Sequence, residues 1–286
     1  MTWHIVGKNV IVTGGNSGIG LATATELARQ GARVTIAARD VAKGEAAVAA
    51  VREASGADAG LRILDLADLA SVRRFAEEYR AGHGHLDVLI NNAGVMAGGR
   101  RETVDGFEWT FAVNHLGHFL LTNLLAPLLE AGPEGRVINV SSEVHHSAKA
   151  GLDFDDLQMT RGYSPGKAYR AAKLANLLFT VEFNRRFADR TVTARAAHPG
   201  LVGTNFGIGA DSPWWMGVGM RLLRRFFKPP AEGARTSIHL ATADEAELGT
   251  MIYWADAEPK EPSPAALDVD AAARLWVESE RMVGLA

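Results

Sequence analysis

The chain has 286 residues, 47% hydrophobic and 22% charged, which is enough apolar material for a sizeable core. Its formal net charge of -3 gives no general attraction to nucleic acid or anionic lipid, and no nucleic-acid partner is expected. The absence of cysteine excludes disulfides, thiolate metal sites and cysteine nucleophiles together. No basic stretch leads into an apolar run at Met1 to Lys8, and no apolar segment approaches the length of a membrane span, so the expected location is cytoplasmic.

Short β-branched runs alternate with longer Ala- and Leu-rich segments at helical spacing, the pattern of a parallel sheet covered by helices on both faces. With no internal repeat and no Gly-, Pro- or Ser-rich linker, residues 1–286 read as a single domain of the doubly wound α/β class. The first strand is predicted over Asn9–Thr13, and Thr13-Gly14-Gly15-Asn16-Ser17-Gly18-Ile19-Gly20 follows it directly. Glycines there permit a tight turn and the close approach of a pyrophosphate, while the next helix, Ile19–Gln30, offers free amides at its start. A second strand over Arg33–Ala38 closes a βαβ unit, so the turn reads as a Rossmann-type dinucleotide site. Where an acidic residue would bind the ribose hydroxyls of NAD, the chain has Ala37-Ala38-Arg39. A guanidinium accepts a 2′-phosphate, which favours NADP (NADPH) over NAD, with Ser17 as a further hydroxyl donor. The alternative for Arg39 is a solvated pair with Asp40.

Helices are predicted over Ala42–Ala54 and Leu69–Ala81, on either side of a third strand, Leu61–Asp65. The fourth strand, Val88–Asn91, leads into Asn91-Asn92-Ala93-Gly94. The next helix, Phe107–Leu129, carries Asn114, a mediocre helix former whose amide needs partners if buried. A fifth strand, Arg136–Ser141, ends in Asn139-Val140-Ser141-Ser142. Residues 143–167 break the pattern as a polar loop containing His145 and His146. Adjacent residues on an extended segment point apart, so no metal is assigned and both histidines are read as lining the substrate entrance or facing water.

The helix Ala168–Phe187 places Tyr169 and Lys173 one turn apart on one face. Free tyrosine ionises near pH 10, and a neighbouring cation that favours the phenolate lets it exchange protons closer to neutrality. Lys173 is that cation in this reading. The sixth strand, Thr191–Ala197, runs towards Pro199 and Gly200. Residues 202–230 form a second irregular stretch that includes Trp214, Trp215, Phe226 and Phe227. Its aromatic and basic residues at helical spacing are read first as a lid over an apolar substrate, then as a core helix, and last as a membrane-surface contact. A helix over Glu232–Ala243 and a strand over Thr250–Tyr253 bring the sheet to seven strands.

The glycine turn, the Asn91 to Gly94 motif, the Asn139 to Ser142 motif and the Tyr169/Lys173 pair stand in this order at strand ends and helix starts. Together they resemble the short-chain dehydrogenase/reductase family over essentially the whole chain. Val113-Asn114-His115-Leu116-Gly117-His118-Phe119, Lys173-Leu174-Ala175-Asn176-Leu177-Leu178-Phe179 and Ala197-His198-Pro199-Gly200 are similar to the retinol dehydrogenase and WW-domain-containing oxidoreductase-like branch. The resemblance implies an NADP-dependent oxidoreductase that interconverts a carbonyl and an alcohol in a lipophilic small molecule. It gives Tyr169 the acid/base role, Ser142 the polarisation of the carbonyl, and Lys173 the support of both phenol and nicotinamide ribose. Of the two serines the resemblance selects Ser142, and strand alternation sends Ser141 the other way. By the same resemblance Asn114 kinks its helix and holds a water leading from Lys173 to solvent. Gly14, Asn16, Ser17, Gly18, Ile19 and Gly20 cradle the cofactor; Asp65 and Leu66 meet the adenine; Asn91 lines its ribose; Ala93 is a further cofactor contact and Gly94 lets the backbone approach the cofactor; Pro199, Gly200, Val202 and Thr204 meet the nicotinamide. Pairing through the helices of Asn114 and Tyr169 is implied, as a homodimer or homotetramer, although a more elaborate C-terminus favours monomers. The competing reading is a catalytically silent NAD(P)-binding regulatory or interaction protein, which has no need of the proton donor.

Overall fold

The computed structural model describes residues 3–200 and 228–286. The lid expected within 202–230, with Val202, Thr204 and the tryptophan pair, lies almost wholly outside the described residues. Among those described, no helix is long and apolar enough to cross a membrane.

Seven strands run parallel: β1 Asn9–Thr13, β2 Arg33–Ala38, β3 Ala59–Ile63, β4 Val88–Asn91, β5 Gly135–Val140, β6 Val192–His198 and β7 Tyr253–Ala255. An eighth, β8 Glu258–Pro259, pairs antiparallel to β7, so the sheet has order β3-β2-β1-β4-β5-β6-β7-β8. The reading of seven parallel strands holds and the short edge strand is added. Two residues ending in proline carry no strand signal of their own; the hairpin turn creates β8. The β3 strand sits two residues earlier than expected, because Ala59 and Gly60 pair with Val34 and Thr35 despite their poor strand propensity. Asp65 therefore lies beyond the strand end.

The helices are α1 Gly18–Arg29, α2 Val41–Ser55, α3 Leu69–Gly82, α4 Trp109–Phe111, α5 Gly117–Glu130, α6 Pro165–Arg186, α7 Pro230–Thr242, α8 Glu245–Leu248 and α9 Val269–Val283. The α6 helix begins three residues earlier than expected, with Ser164 at the N-cap and Pro165 in the first turn, where proline's missing N–H costs nothing. The sequence reading missed α9, although its signals were present. Asp268 caps it, Gly284 ends it in a left-handed conformation, and Ala272, Leu275, Trp276, Ser279 and Val283 form one buried stripe.

Strand alternation divides the core between the two faces of the sheet. Val10 and Val12 of β1 belong to a cluster with Leu27, Val51 and Leu240 from α1, α2 and α7. Ile11 joins the opposite cluster with Phe75, Phe119, Phe179 and Trp276 from α3, α5, α6 and α9. Each such fully buried side chain contributes about 1.5–3 kcal/mol. The chain works outward from β1 to β3 and then returns to β4. That reversal opens a crevice above the C-terminal ends of β1 and β4, where doubly wound sheets hold their ligands.

Candidate active site

One wall of the crevice is the glycine turn. Gly14 and Gly18 have φ of 64° and 54°, in the left-handed region that favours glycine. A Cβ on Gly20 would meet the Gly14 carbonyl oxygen at 2.4 Å, and one on Gly14 would meet the Ala93 Cα at 3.1 Å. The turn is therefore folded tightly against the segment after β4. Ser17 is the N-cap of α1, yet its exposed hydroxyl makes no capping bond. A helix start with an uncommitted hydroxyl and a glycine cradle fits a pyrophosphate.

Thr13 fastens this wall. Its hydroxyl oxygen accepts from the N–H groups of Asn92 at 2.9 Å and Ala93 at 3.0 Å, while Asn92 donates its side-chain amide to Thr13 O at 2.7 Å. His118 Nδ1 donates to Asn114 O at 3.1 Å, which leaves Nε2 to accept from the Thr13 hydroxyl at 2.9 Å. Burial pushes His118 down to about 4, so this neutral form persists at neutral pH. The sequence reading quoted both residues and gave neither a task. A buried histidine four residues after Asn114 was the available signal.

Asn91 departs from its expected place. It is 2% exposed and its side-chain amide donates to Thr122 at 3.0 Å and Asn139 at 2.8 Å, tying β4 to α5 and β5. Its Oδ1 is buried without a hydrogen-bond partner among the described residues, so the side chain is turned away from the partly exposed crevice edge. Leu66 is likewise buried, with its side chain in the core. Ala93 and Gly94 remain at the partly exposed crevice edge, as do Asn16, Ile19, Pro199 and Gly200.

At the end of β2, Arg39 is 64% exposed and stands 3.9 Å from Asp65. It is not paired with Asp40 in the way considered from sequence. Asp40 instead caps α2, its carboxylate accepting from Lys43 N–H at 3.0 Å, which holds its carboxyl below the usual range. Asp65 accepts from Ala67 N–H at 2.9 Å and so shapes its own turn.

The third wall joins β5, α6 and the helix of Asn114. Ser141 is buried and donates to Lys173 O at 2.9 Å, so it turns into the protein and leaves Ser142 facing the crevice. The half-buried Tyr169 lies near enough to Ser142 for the serine hydroxyl to favour its phenolate. Lys173 lies with its Nζ 5.5 Å from the Tyr169 ring centroid and donates to Val140 O at 2.8 Å. Burial pushes Lys173 down to about 7. It also pushes the Tyr169 phenol well up, an effect the nearby Ser142 hydroxyl opposes. Ser142 is the neighbour that favours the phenolate here, and the buried Lys173 is itself held below the ordinary lysine value.

Asn114 is fully buried in a π-helical turn, Ala112–Leu116, between α4 and α5. Its amide donates to Val95 O at 2.8 Å and Thr110 O at 2.7 Å, and Val95 N–H returns a bond to Asn114 Oδ1 at 3.4 Å. The helix expected over Phe107–Leu129 is thus interrupted at the residue expected to kink it. An extra residue in the turn changes where the next side chains point. Of the histidine pair, His145 faces neither water nor the crevice: it is 0% exposed.

A family model described as short chain dehydrogenase matches residues 8–154. Human retinol dehydrogenase 14 is 44% identical over 98% of this chain and 87% of its own length. Human retinol dehydrogenase 12 is 44% identical over 99% of this chain and 88% of its own length. Among solved structures, an uncharacterized protein from Mycobacterium paratuberculosis superposes with a TM-score of 0.77 at 38% identity, covering 99% of this chain and 98% of that one. An Escherichia coli short chain dehydrogenase complexed with NADPH shares the fold, with a TM-score of 0.69 at 21% identity over 88% of this chain and 98% of its own.

Proposed function

This chain belongs to the short-chain dehydrogenase family, in its retinol dehydrogenase-like branch, and from that premise we propose that it reduces lipophilic aldehydes or ketones with NADPH. The observation that carries the chemistry is the grouping of Ser142, Tyr169 and Lys173, with Lys173 Nζ 5.5 Å from the Tyr169 ring centroid, beside the glycine cradle. A nicotinamide cofactor bound there supplies the hydride. Ser142 binds the carbonyl oxygen and Tyr169 donates the proton that oxygen needs as charge develops on it. Burial raises the Tyr169 phenol, so it is protonated at neutral pH and carries the proton that reduction requires. Asn114 holds the 95 segment against the helix, keeping the floor of the site fixed. Support for NADPH comes from Arg39, exposed at the end of β2, together with the withdrawal of Asp40 into a helix cap. The apolar substrate class follows the retinol dehydrogenases that this chain resembles.

A panel of retinoid, long-chain and aromatic aldehydes, followed by loss of NADPH absorbance and repeated with NADH, tests both choices. Turnover of the apolar members with NADPH is expected. Tyr169→Phe should lower kcat by about 10²–10⁴ fold with cofactor affinity retained. Undiminished turnover in that variant would refute the acid role, and preference for NADH would refute the role of Arg39.

A further inference from the structure

We propose that His145 is a positioning residue for Ser142, a neutral imidazole strut that fixes the serine against the Pro262-Ser263-Pro264 segment. His145 opens no path to solvent, and both its ring nitrogens are spent on main chain. Nδ1 donates to Ser142 O at 2.7 Å, and the His145 main-chain N–H reaches the same oxygen at 3.2 Å. On the far side, Ser263 N–H donates to Nε2 at 3.1 Å. One donor and one acceptor are the full capacity of a neutral imidazole, so the two partners select a single tautomer.

The far partner is unusually rigid. Ser263 stands between two prolines, which lack N–H groups and have fixed φ, so its amide is the sole main-chain donor of residues 262–264. The Tyr253 ring packs edge-on to His145 with centroids 5.0 Å apart, closing the cage from β7.

Ser142 needs such support. It follows the end of β5, and its hydroxyl accepts from Val144 N–H only at 3.5 Å. Without the ring bond, the peptide between Ser142 and Glu143 keeps only two longer bonds, from His145 N–H to Ser142 O at 3.2 Å and from Glu143 N–H to His198 Nδ1 at 3.4 Å, so it can tilt and carry the hydroxyl away from Tyr169. Displacements of about 1 Å from a productive geometry cost on the order of 10²-fold in rate. This inference rests on the reading of Ser142 as the group that binds the carbonyl.

Two variants separate the ends of the strut. His145→Asn keeps an amide N–H near the Nδ1 position and loses the far acceptor; His145→Gln puts a carbonyl oxygen near Nε2 and loses the near donor. Each forfeits one buried hydrogen bond, so similar losses in Tm are expected. Their kcat values should diverge: within about 3-fold of the parent for His145→Asn and about 10- to 100-fold lower for His145→Gln, with KM for NADPH unchanged in both. Placed in a Ser142→Ala background under single-turnover conditions, His145→Gln should cause no further loss. Equal kcat in the two variants, or the same fractional loss from His145→Gln in both backgrounds, overturns the proposal. If His145→Asn does not fold, the second comparison alone decides. Full activity in Ser142→Ala by itself would instead overturn the reading on which the proposal stands.

Discussion

Lys173 shows how one side chain ties stability to chemistry. Lys173 is 2% exposed, its ammonium donates to Val140 O, and burial lowers it from 10.5 to about 7. The unfolded chain keeps the ordinary lysine value, so between about pH 7 and pH 10.5 it binds more protons than the folded chain. Stability without cofactor therefore rises with pH across that window, and the full cost of the buried charge is felt below it. Lys173→Met should raise Tm, and the gain should be larger at about pH 6 than at about pH 9. The carbonyl it leaves is still served by Asn176, which donates to Val140 O at 3.2 Å. Thermal melts of parent and variant at both pH values provide the check, and equal gains would show that the buried charge is not the cause. A site that keeps such a residue loses stability for a cation near the reacting oxygen, as functional sites often do.

At the scale of elements, the turn between β7 and β8 is the clearest local conflict. Asp256 and Ala257 have φ of 55° and 63°, and Ala255 pairs with Glu258 across them. That is the two-residue hairpin with both central residues left-handed, where glycine is preferred at the second position. Alanine there bears about 1–2 kcal/mol of steric cost, against a smaller entropic cost for glycine. Ala257→Gly should stabilise the protein by about 0.5 kcal/mol or more, keeping the Ala257 N–H bond to Thr236. A higher urea midpoint at unchanged slope confirms it, and a lower midpoint would sink it. The turn was invisible in sequence because Asp-Ala carries no strong hairpin signal, whereas the glycine turn after β1 was legible through its spacing. Alternation, a backbone property, showed from sequence that only one of Ser141 and Ser142 can face the site, and the family resemblance chose Ser142. Asn91 was not, because its amide is claimed by Thr122 and Asn139, partners that come from other elements. The placement of His145 failed for the same reason: Ser263 lies 118 residues away.

Across the whole molecule the two faces of the sheet are covered unequally. One carries α1, α2 and α7, while on the other α9 packs over α5 and α6. Trp276 of α9 sits at the centre of that contact, 5.0 Å from the Phe119 ring and 5.7 Å from the Phe179 ring, with the Arg186 guanidinium 4.6 Å from its own. It is 3% exposed and its indole N–H has no hydrogen-bond partner among the described residues, so its value here is volume and aromatic contact. The adjoining Ser279 bonds His115 Nε2 at 2.8 Å, one residue from Asn114, so α9 also braces the π turn from behind. Trp276→Ala should cost about 3–5 kcal/mol, while Trp276→Phe, which removes the unpaired N–H and keeps most of the ring, should cost far less. Because Trp276 touches this covering layer and not Ser142, Tyr169 or Lys173, turnover per folded molecule and KM should stay close to the parent in both variants. Denaturant melts paired with initial rates below the transition distinguish the outcomes. A large fall in kcat with an unchanged midpoint would mean that α9 acts on the site directly through the π turn, and a midpoint unchanged in Trp276→Ala would mean that the aromatic layer does not hold α9 in place.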